Sequence, residues 1–155
     1  MGGLEMAMIE KKFRLQFPSS TENLAMVRSF LDNIGKQAGM PEGEVAKIQL
    51  AVDEACSNVI EHAYGHDQSK EVMVGVSYDD SQLMIAIVDR GRGFDPSTVR
   101  PQQLKDLVAE RQTGGLGLQL IRSLMDEVRY DIVPGEKNQI TMVKYFTNES
   151  RPESS

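Results

Sequence analysis

The sequence predicts an α+β fold: a two-layer α/β sandwich with helices packed against a mixed, mostly antiparallel sheet. Three observations lead there. Short alternating or apolar runs occur near the start, in the middle and at the end of the chain. Two segments with helical apolar spacing follow the first run, and a third precedes the last pair of runs. The middle and final runs are each joined by a short polar turn, the connection that antiparallel neighbours use.

The elements follow in order. Phe13, Leu15 and Phe17 alternate with Arg14 and Gln16, which predicts a strand ending at Pro18. Ser19, Ser20 and Thr21 with Glu22 signal a helix start. Leu24, Val27, Phe30, Leu31 and Ile34 then share one face of a helix that ends near Gly39. Pro41 opens a second helix, where the missing N–H of proline costs nothing. Ile48, Val52, Ala55, Val59 and Ala63 form its core face, and Gly65 stops it. Residues 71–78 and 82–89 read as two strands joined by Asp79-Asp80-Ser81. The run Leu83 to Val88 is almost wholly apolar, as in a central strand buried on both faces. A glycine-rich turn from Asp89 to Gly93 follows, then a polar stretch from Asp95 to Gln112, partly helical around Leu104 to Val108. Gly114-Gly115-Leu116-Gly117 opens a helix through Leu124, with Leu118, Leu120, Ile121, Leu124 and Met125 as its apolar positions. Strands over 128–133 and 139–146 close the chain around the turn Pro134 to Asn138. Residues 1–12 form an N-terminal extension, 13–147 a single domain and 148–155 a polar, disordered tail.

The bulk composition narrows the function classes. A chain of 155 residues, 40% of them hydrophobic, fits one compact domain with one core. A net charge of −6 with no basic cluster argues against nucleic acid and anionic membranes as partners. It does not argue against nucleotides, whose phosphates are held by backbone N–H groups and a metal ion. The single cysteine, Cys56, excludes an internal disulfide, suits the cytoplasm and reads as a small buried packing residue. No apolar run approaches the ~20 residues of a membrane helix, and the first twelve residues lack the apolar core of a secretory signal.

Three short patterns carry chemistry. Glu54 and Asn58 lie four apart and project from one face of the second helix, at the edge of its apolar stripe. An Asn oxygen is a hard ligand for Mg²⁺, and a Glu one turn away can accept a hydroxyl proton. Two ordinary solvated helix residues would give the same pattern. Asp89-x-Gly91-x-Gly93 ends an apolar strand, where glycines admit a ligand close to the backbone and an Asp can accept from an amino group such as that of adenine. A plain tight turn fits as well. Thr113-Gly114-Gly115-Leu116-Gly117-Leu118 runs into a helix whose free N–H groups favour phosphate; it has neither a Walker lysine nor the dinucleotide glycine register, and a hinge is the alternative. His62 and His66 flank Tyr64-Gly65 without further Cys or His to make a zinc site. His62 either braces the pocket mouth or lies on the surface.

Together, Glu54-x-x-x-Asn58, Asp89-x-Gly91-x-Gly93 and Gly115-x-Gly117-Leu118 resemble the N, G1 and G2 boxes of the GHKL (Bergerat-fold) ATPases. Within that superfamily the chain resembles the RsbW-like anti-sigma-factor serine/threonine kinases. The resemblance runs through Leu50 to Gly65, Val88 to Pro96 and Gly114 to Val128, with Phe17-Pro-Ser and Val27-Arg-Ser-Phe30 similar to the family's opening. It covers roughly Phe13 to Phe146. It implies a Bergerat-type sandwich with ATP between sheet and helices beneath a lid. Asn58 would ligate Mg²⁺, Glu54 would be the base and Asp89 would bind the adenine amino group. Gly91 and Gly93 would shape the base pocket, and Thr113, Gly114, Gly115, Leu116, Gly117 and Leu118 would hold phosphates. Thr141 would match a family threonine near the adenine, although Gln139-Ile140 stands before it where relatives often carry glycine. Arg111 would clamp a phosphate.

The implied activity is transfer of the ATP γ-phosphoryl group to a serine or threonine of an anti-anti-sigma (STAS-domain) protein, with a sigma factor as second ligand and a possible homodimer. Glu54 separates the chain from histidine kinases, which typically carry Asn there. A non-catalytic ATP-binding module that sequesters a partner is the alternative. A hydrolase fragment of a gyrase-like machine is expected least, because such chains continue into a transducer domain.

Overall fold

The computed structural model describes residues 10–63, 68–90, 116–133 and 136–147, excepting the side chains of residues 62, 63 and 116. Along these residues run β1 (Lys11–Pro18), α1 (Leu24–Ala38), α2 (Glu42–Asn58), β2 (Glu71–Tyr78), β3 (Gln82–Asp89), α3 (Leu116–Leu124), β4 (Glu127–Val133) and β5 (Lys137–Tyr145). The strands form one sheet in the order β1-β2-β3-β5-β4. Each neighbouring pair is antiparallel, so no parallel pair of the expected mixed sheet occurs among the described residues. The expected lid over 95–112 lies outside the described residues.

A side-chain period of two puts one row of residues from each strand beneath the helices. Phe17 faces Val72 across β1 and β2, and Val74 faces Ile87 across β2 and β3. Ile85 faces Met142, and Ile87 faces Ile140, across β3 and β5. These residues are buried and meet Leu24, Val27, Leu31 and Ile34 of α1, Val45, Ile48, Val52 and Ala55 of α2, and Leu118 and Ile121 of α3. Helix α1 therefore buries the stripe its spacing predicts, although Phe30 is only partly covered. It ends at Gly39 with φ 73°, a left-handed cap suited to glycine.

Two expectations need correction. The Ser19–Glu22 signal does not start α1 directly. A 3₁₀ turn over Thr21–Asn23 comes first, Ser20 makes no side-chain cap, and Asn23 donates from Nδ2 to the Pro18 carbonyl at 2.8 Å. Strand β3 is central, but it is not buried on both faces. Leu83, Ile85 and Ile87 are buried while Met84 is 36% exposed. All the described helices lie on one side of the sheet, so the apolar outer positions of β3 rest beside other strands rather than under a second layer.

Helix α2 does not end at Asn58 but widens into a π-helical turn over Val59–Ala63. Such turns are rare and concentrate at functional sites. At the other end of the domain, Lys144 reaches from β5 into the helix layer. Its Nζ donates to the Leu124 carbonyl at 2.9 Å and pairs with Glu44 Oε2 at 3.2 Å. This ammonium ties the C-terminus of α3 and the N-terminus of α2 to the same point on the sheet.

Candidate nucleotide site

Glu54 and Asn58 meet the first turn of α3. A Cβ at Gly117 would overlap Glu54 Oε1 and lie 3.2 Å from Asn58 Nδ2. Gly117 is helical without a positive φ, so backbone freedom does not explain it. The absent side chain makes room for the Glu54 carboxylate and the Asn58 carboxamide. The two motifs, about sixty residues apart in sequence, thus touch. The half-buried pair sits where the amides of a helix N-terminus open.

The course of the elements brings Asp89 to the same end of the molecule. Lys144 holds Glu44 and Leu124 together, while Gly117 touches Glu54 and Asn58, so α2 and α3 run antiparallel. From Glu44 to Asn58 the α2 axis rises about 21 Å. In β5, Lys144 stands opposite Leu83, and Asn138 stands opposite Asp89. That span of strand is about 20 Å. Asn58, Gly117, Asp89 and Asn138 therefore all lie toward the end away from Lys144.

Asp89 is 2% exposed, and its Oδ1 accepts a hydrogen bond from Asn138 Nδ2 at 3.0 Å. It shares the helix-facing side of β3 with Ile85 and Ile87. Thr141 is placed differently from its expected position. It faces Ala86 on β3 and Arg129 on β4, on the outer side of the sheet. Its hydroxyl accepts from Gln139 Nε2 at 3.1 Å. The physical reason is strand parity: Asn138 is three positions from Thr141 and so points the other way. Asn138, expected in the turn before the last strand, instead lies within β5 beside Asp89.

Leu118 is buried in the core beneath α3, so its contribution to a phosphate site is confined to its backbone. The Leu116 and His62 side chains, and Gly91, Gly93, Arg111, Thr113, Gly114 and Gly115, lie outside the described residues. Cys56 projects into the core between Glu54 and Asn58 with no exposed surface, and burial, aided by the Asp53 charge, pushes its thiol up to about 12. It is a packing residue, as its composition-level reading suggests. Among the described residues no group of three or more His, Cys, Asp or Glu could hold a metal ion. A Mg²⁺ bound chiefly by phosphate and water oxygens needs only one or two protein ligands, so the single Asn58 carboxamide fits that metal. Likewise, no described helix is long and apolar enough to cross a membrane.

An α/β sandwich with a carboxylate and a carboxamide against a glycine-bearing helix start is an arrangement suited to a nucleotide. Residues 17–144 match the sequence profile of the histidine kinase-like ATPase domain. The serine-protein kinase RsbW of Bacillus licheniformis is 32% identical over 139 residues, covering 87% of this chain and 86% of that protein. The RsbW of Bacillus subtilis (strain 168) is 30% identical with the same coverage. In solved structures, the fold is similar to that of the RsbU and RsbW domains of a Mycobacterium tuberculosis protein, with TM-score 0.65 at 19% identity. That match covers 92% of this chain and 33% of that one. It is also similar to the SiaB–SiaC complex from Pseudomonas aeruginosa, with TM-score 0.63 at 12% identity over 92% of each chain. The chain belongs to the histidine kinase-like ATPase domain family, within its RsbW-like group. Membership carries ATP use with it.

Proposed function

We propose that the protein is an ATP-dependent serine/threonine protein kinase that acts as an anti-sigma factor and phosphorylates a STAS-domain anti-anti-sigma protein. The observation that carries this reading is the close approach of Glu54 and Asn58 to Gly117, where a Cβ would overlap the first and lie 3.2 Å from Nδ2 of the second. It sets a proton acceptor and a hard oxygen ligand against a helix start suited to phosphate. The serine-protein kinase relatives, matched over most of their length, support the same reaction.

Phosphoryl transfer asks chiefly for positioning and charge stabilisation. Asn58 would hold Mg²⁺, which would supply charge neutralisation for the phosphates. The amides at the start of α3, with Thr113 to Leu118, hold the phosphate tail, and Arg111 clamps it. His62 braces the pocket mouth. Asp89 accepts from the adenine amine, with Gly91 and Gly93 shaping the base pocket. Glu54 takes the proton of the acceptor hydroxyl as its oxygen bonds to the γ-phosphorus. The bond from that phosphorus to the β–γ bridging oxygen breaks, and ADP leaves with the electron pair. Phosphorylation of the STAS-domain partner frees the kinase to hold a sigma factor, in the cytoplasm and as a homodimer.

The test is incubation with radiolabelled ATP and candidate STAS-domain proteins. The kinase reading expects label on a partner serine or threonine that Glu54→Ala abolishes. ATP binding without transfer to any such protein would instead favour a non-catalytic sequestering module.

A further inference from the structure

The two edges of the sheet differ in how they would receive another strand. Among the described residues β1 forms one edge and β4 the other. An edge strand leaves a row of backbone N–H and C=O groups able to pair with a further chain, and proteins blunt such rows with lysine or proline. Strand β1 carries both devices, in Lys11, Lys12 and Pro18, and adds Arg14. Strand β4, which reads Glu-Val-Arg-Tyr-Asp-Ile-Val over Glu127–Val133, has neither lysine nor proline. Its outer row, Glu127, Arg129, Asp131 and Val133, is exposed, and its helix-side row, Val128, Tyr130 and Ile132, is only half-buried.

We propose that β4 pairs with β4 of a second copy of this chain, antiparallel and centred on Tyr130, so that two sheets become one; this rests on the homodimer reading above and names its seam. The strand is complementary to itself in that register. Arg129 of one copy stands opposite Asp131 of the other, twice over, and Glu127 stands opposite Val133. On the helix side Val128 meets Ile132, and Tyr130 meets Tyr130, so the half-buried row is covered by its own counterpart. Sliding to either neighbouring two-fold register puts Arg129 on Arg129 or Asp131 on Asp131, and like charges directly opposite are destabilising. The charge pattern therefore selects one register. Within a single chain Arg129 Nε lies 3.2 Å from Asp131 Oδ2, with both side chains more than half exposed. They already share one surface and can exchange partners across the seam. A contact of this isologous kind closes on itself. It uses up the edge that β4 leaves, while β1 repels further strands.

The test is sedimentation equilibrium of the full chain together with cysteine cross-linking. The wild type should be a dimer, and Arg129→Asp, which sets acid against acid, should weaken it at least about tenfold. Adding Asp131→Arg to that variant swaps the charges and should recover most of the lost affinity. Tyr130→Cys should give a disulfide-linked dimer under mild oxidation, because Cα atoms directly opposite in an antiparallel pair lie about 4.5–5.5 Å apart, within disulfide reach. Val133→Cys should not, because its two copies would stand about 20 Å apart along the seam. Cys56 is fully buried and does not compete. A wild type that sediments as a monomer would overturn the homodimer reading and the seam with it. A dimer indifferent to the charge reversal, with no link through Tyr130→Cys, would overturn the seam alone.

Discussion

Gly117 matters for what it lacks. The atom a Cβ would strike, Glu54 Oε1, is the far end of a flexible side chain. Gly117→Ala should therefore swing the carboxylate aside rather than break the helix. Alanine also gains up to about 1 kcal/mol of helix propensity. Thermal stability should stay near wild type while phosphoryl transfer falls about 100-fold, the cost of misplacing a reacting group by about an ångström. Paired melting curves and single-turnover rates check this. Cys56, buried with its thiol pushed up to about 12, should resist a thiol reagent at pH 8 in the folded protein and react once unfolded. Much of this scale is legible in the sequence. Glu54, Asn58 and Asp89 stand out because helix spacing and strand ends are local properties. Asn138 was not legible, because its partner Asp89 is defined only by the register of β3 against β5. The misplacement of Thr141 has the same origin, since strand parity cannot be counted from a turn of unknown length.

Among the elements, the β2–β3 hairpin carries its own pH switch. Asp79 Oδ1 accepts from the Ser81 N–H at 2.8 Å, the Gln82 N–H at 3.0 Å and the Ser81 hydroxyl at 3.1 Å. The Ser81 backbone bond is the main cause that lowers its pKa below 3.8; partial burial opposes it, and the Gln82 and Ser81 hydroxyl bonds add to it. A carboxyl lowered on folding stabilises fully above its unfolded value and loses that contribution as pH falls through its folded value. Asp79→Ala should cost about 1 kcal/mol near neutral pH. Urea unfolding of both proteins should show that gap closing below the ordinary carboxylate range; a constant gap would contradict it. The Asp-Asp-Ser turn was readable because its hydrogen bonds span only a few residues. The π turn over Val59–Ala63 was not, because an apolar stripe at three-to-four spacing is the same whether the last turn is α or π.

At the scale of the whole molecule, the described helices form one layer on one face of the described sheet, held at opposite ends by different chemistry. Lys144 pins the far ends of α2 and α3, and Gly117 lets their near ends close on Glu54 and Asn58. The Lys144 side chain is 10% exposed, and Lys144→Ala leaves Glu44, 29% exposed, paired with Lys47 alone among the described residues. Losing that pair and the bond to the Leu124 carbonyl should cost about 2 kcal/mol in urea unfolding, with little change in the m-value. The two-layer sandwich was legible from the order of periodic segments. The absence of a described helix from the outer face was not, since the run Leu83 to Val88 reads alike whether one or two layers cover it. The account stands on Asn58 and Glu54 meeting a metal-bound nucleotide at the start of α3. Its most direct test is the calorimetric affinity for ATP with and without Mg²⁺, in the wild type and in Asn58→Ala. The prediction is that Mg²⁺ tightens wild-type binding by at least about tenfold and that Asn58→Ala loses this gain. A variant that keeps the full Mg²⁺-dependent gain would contradict it.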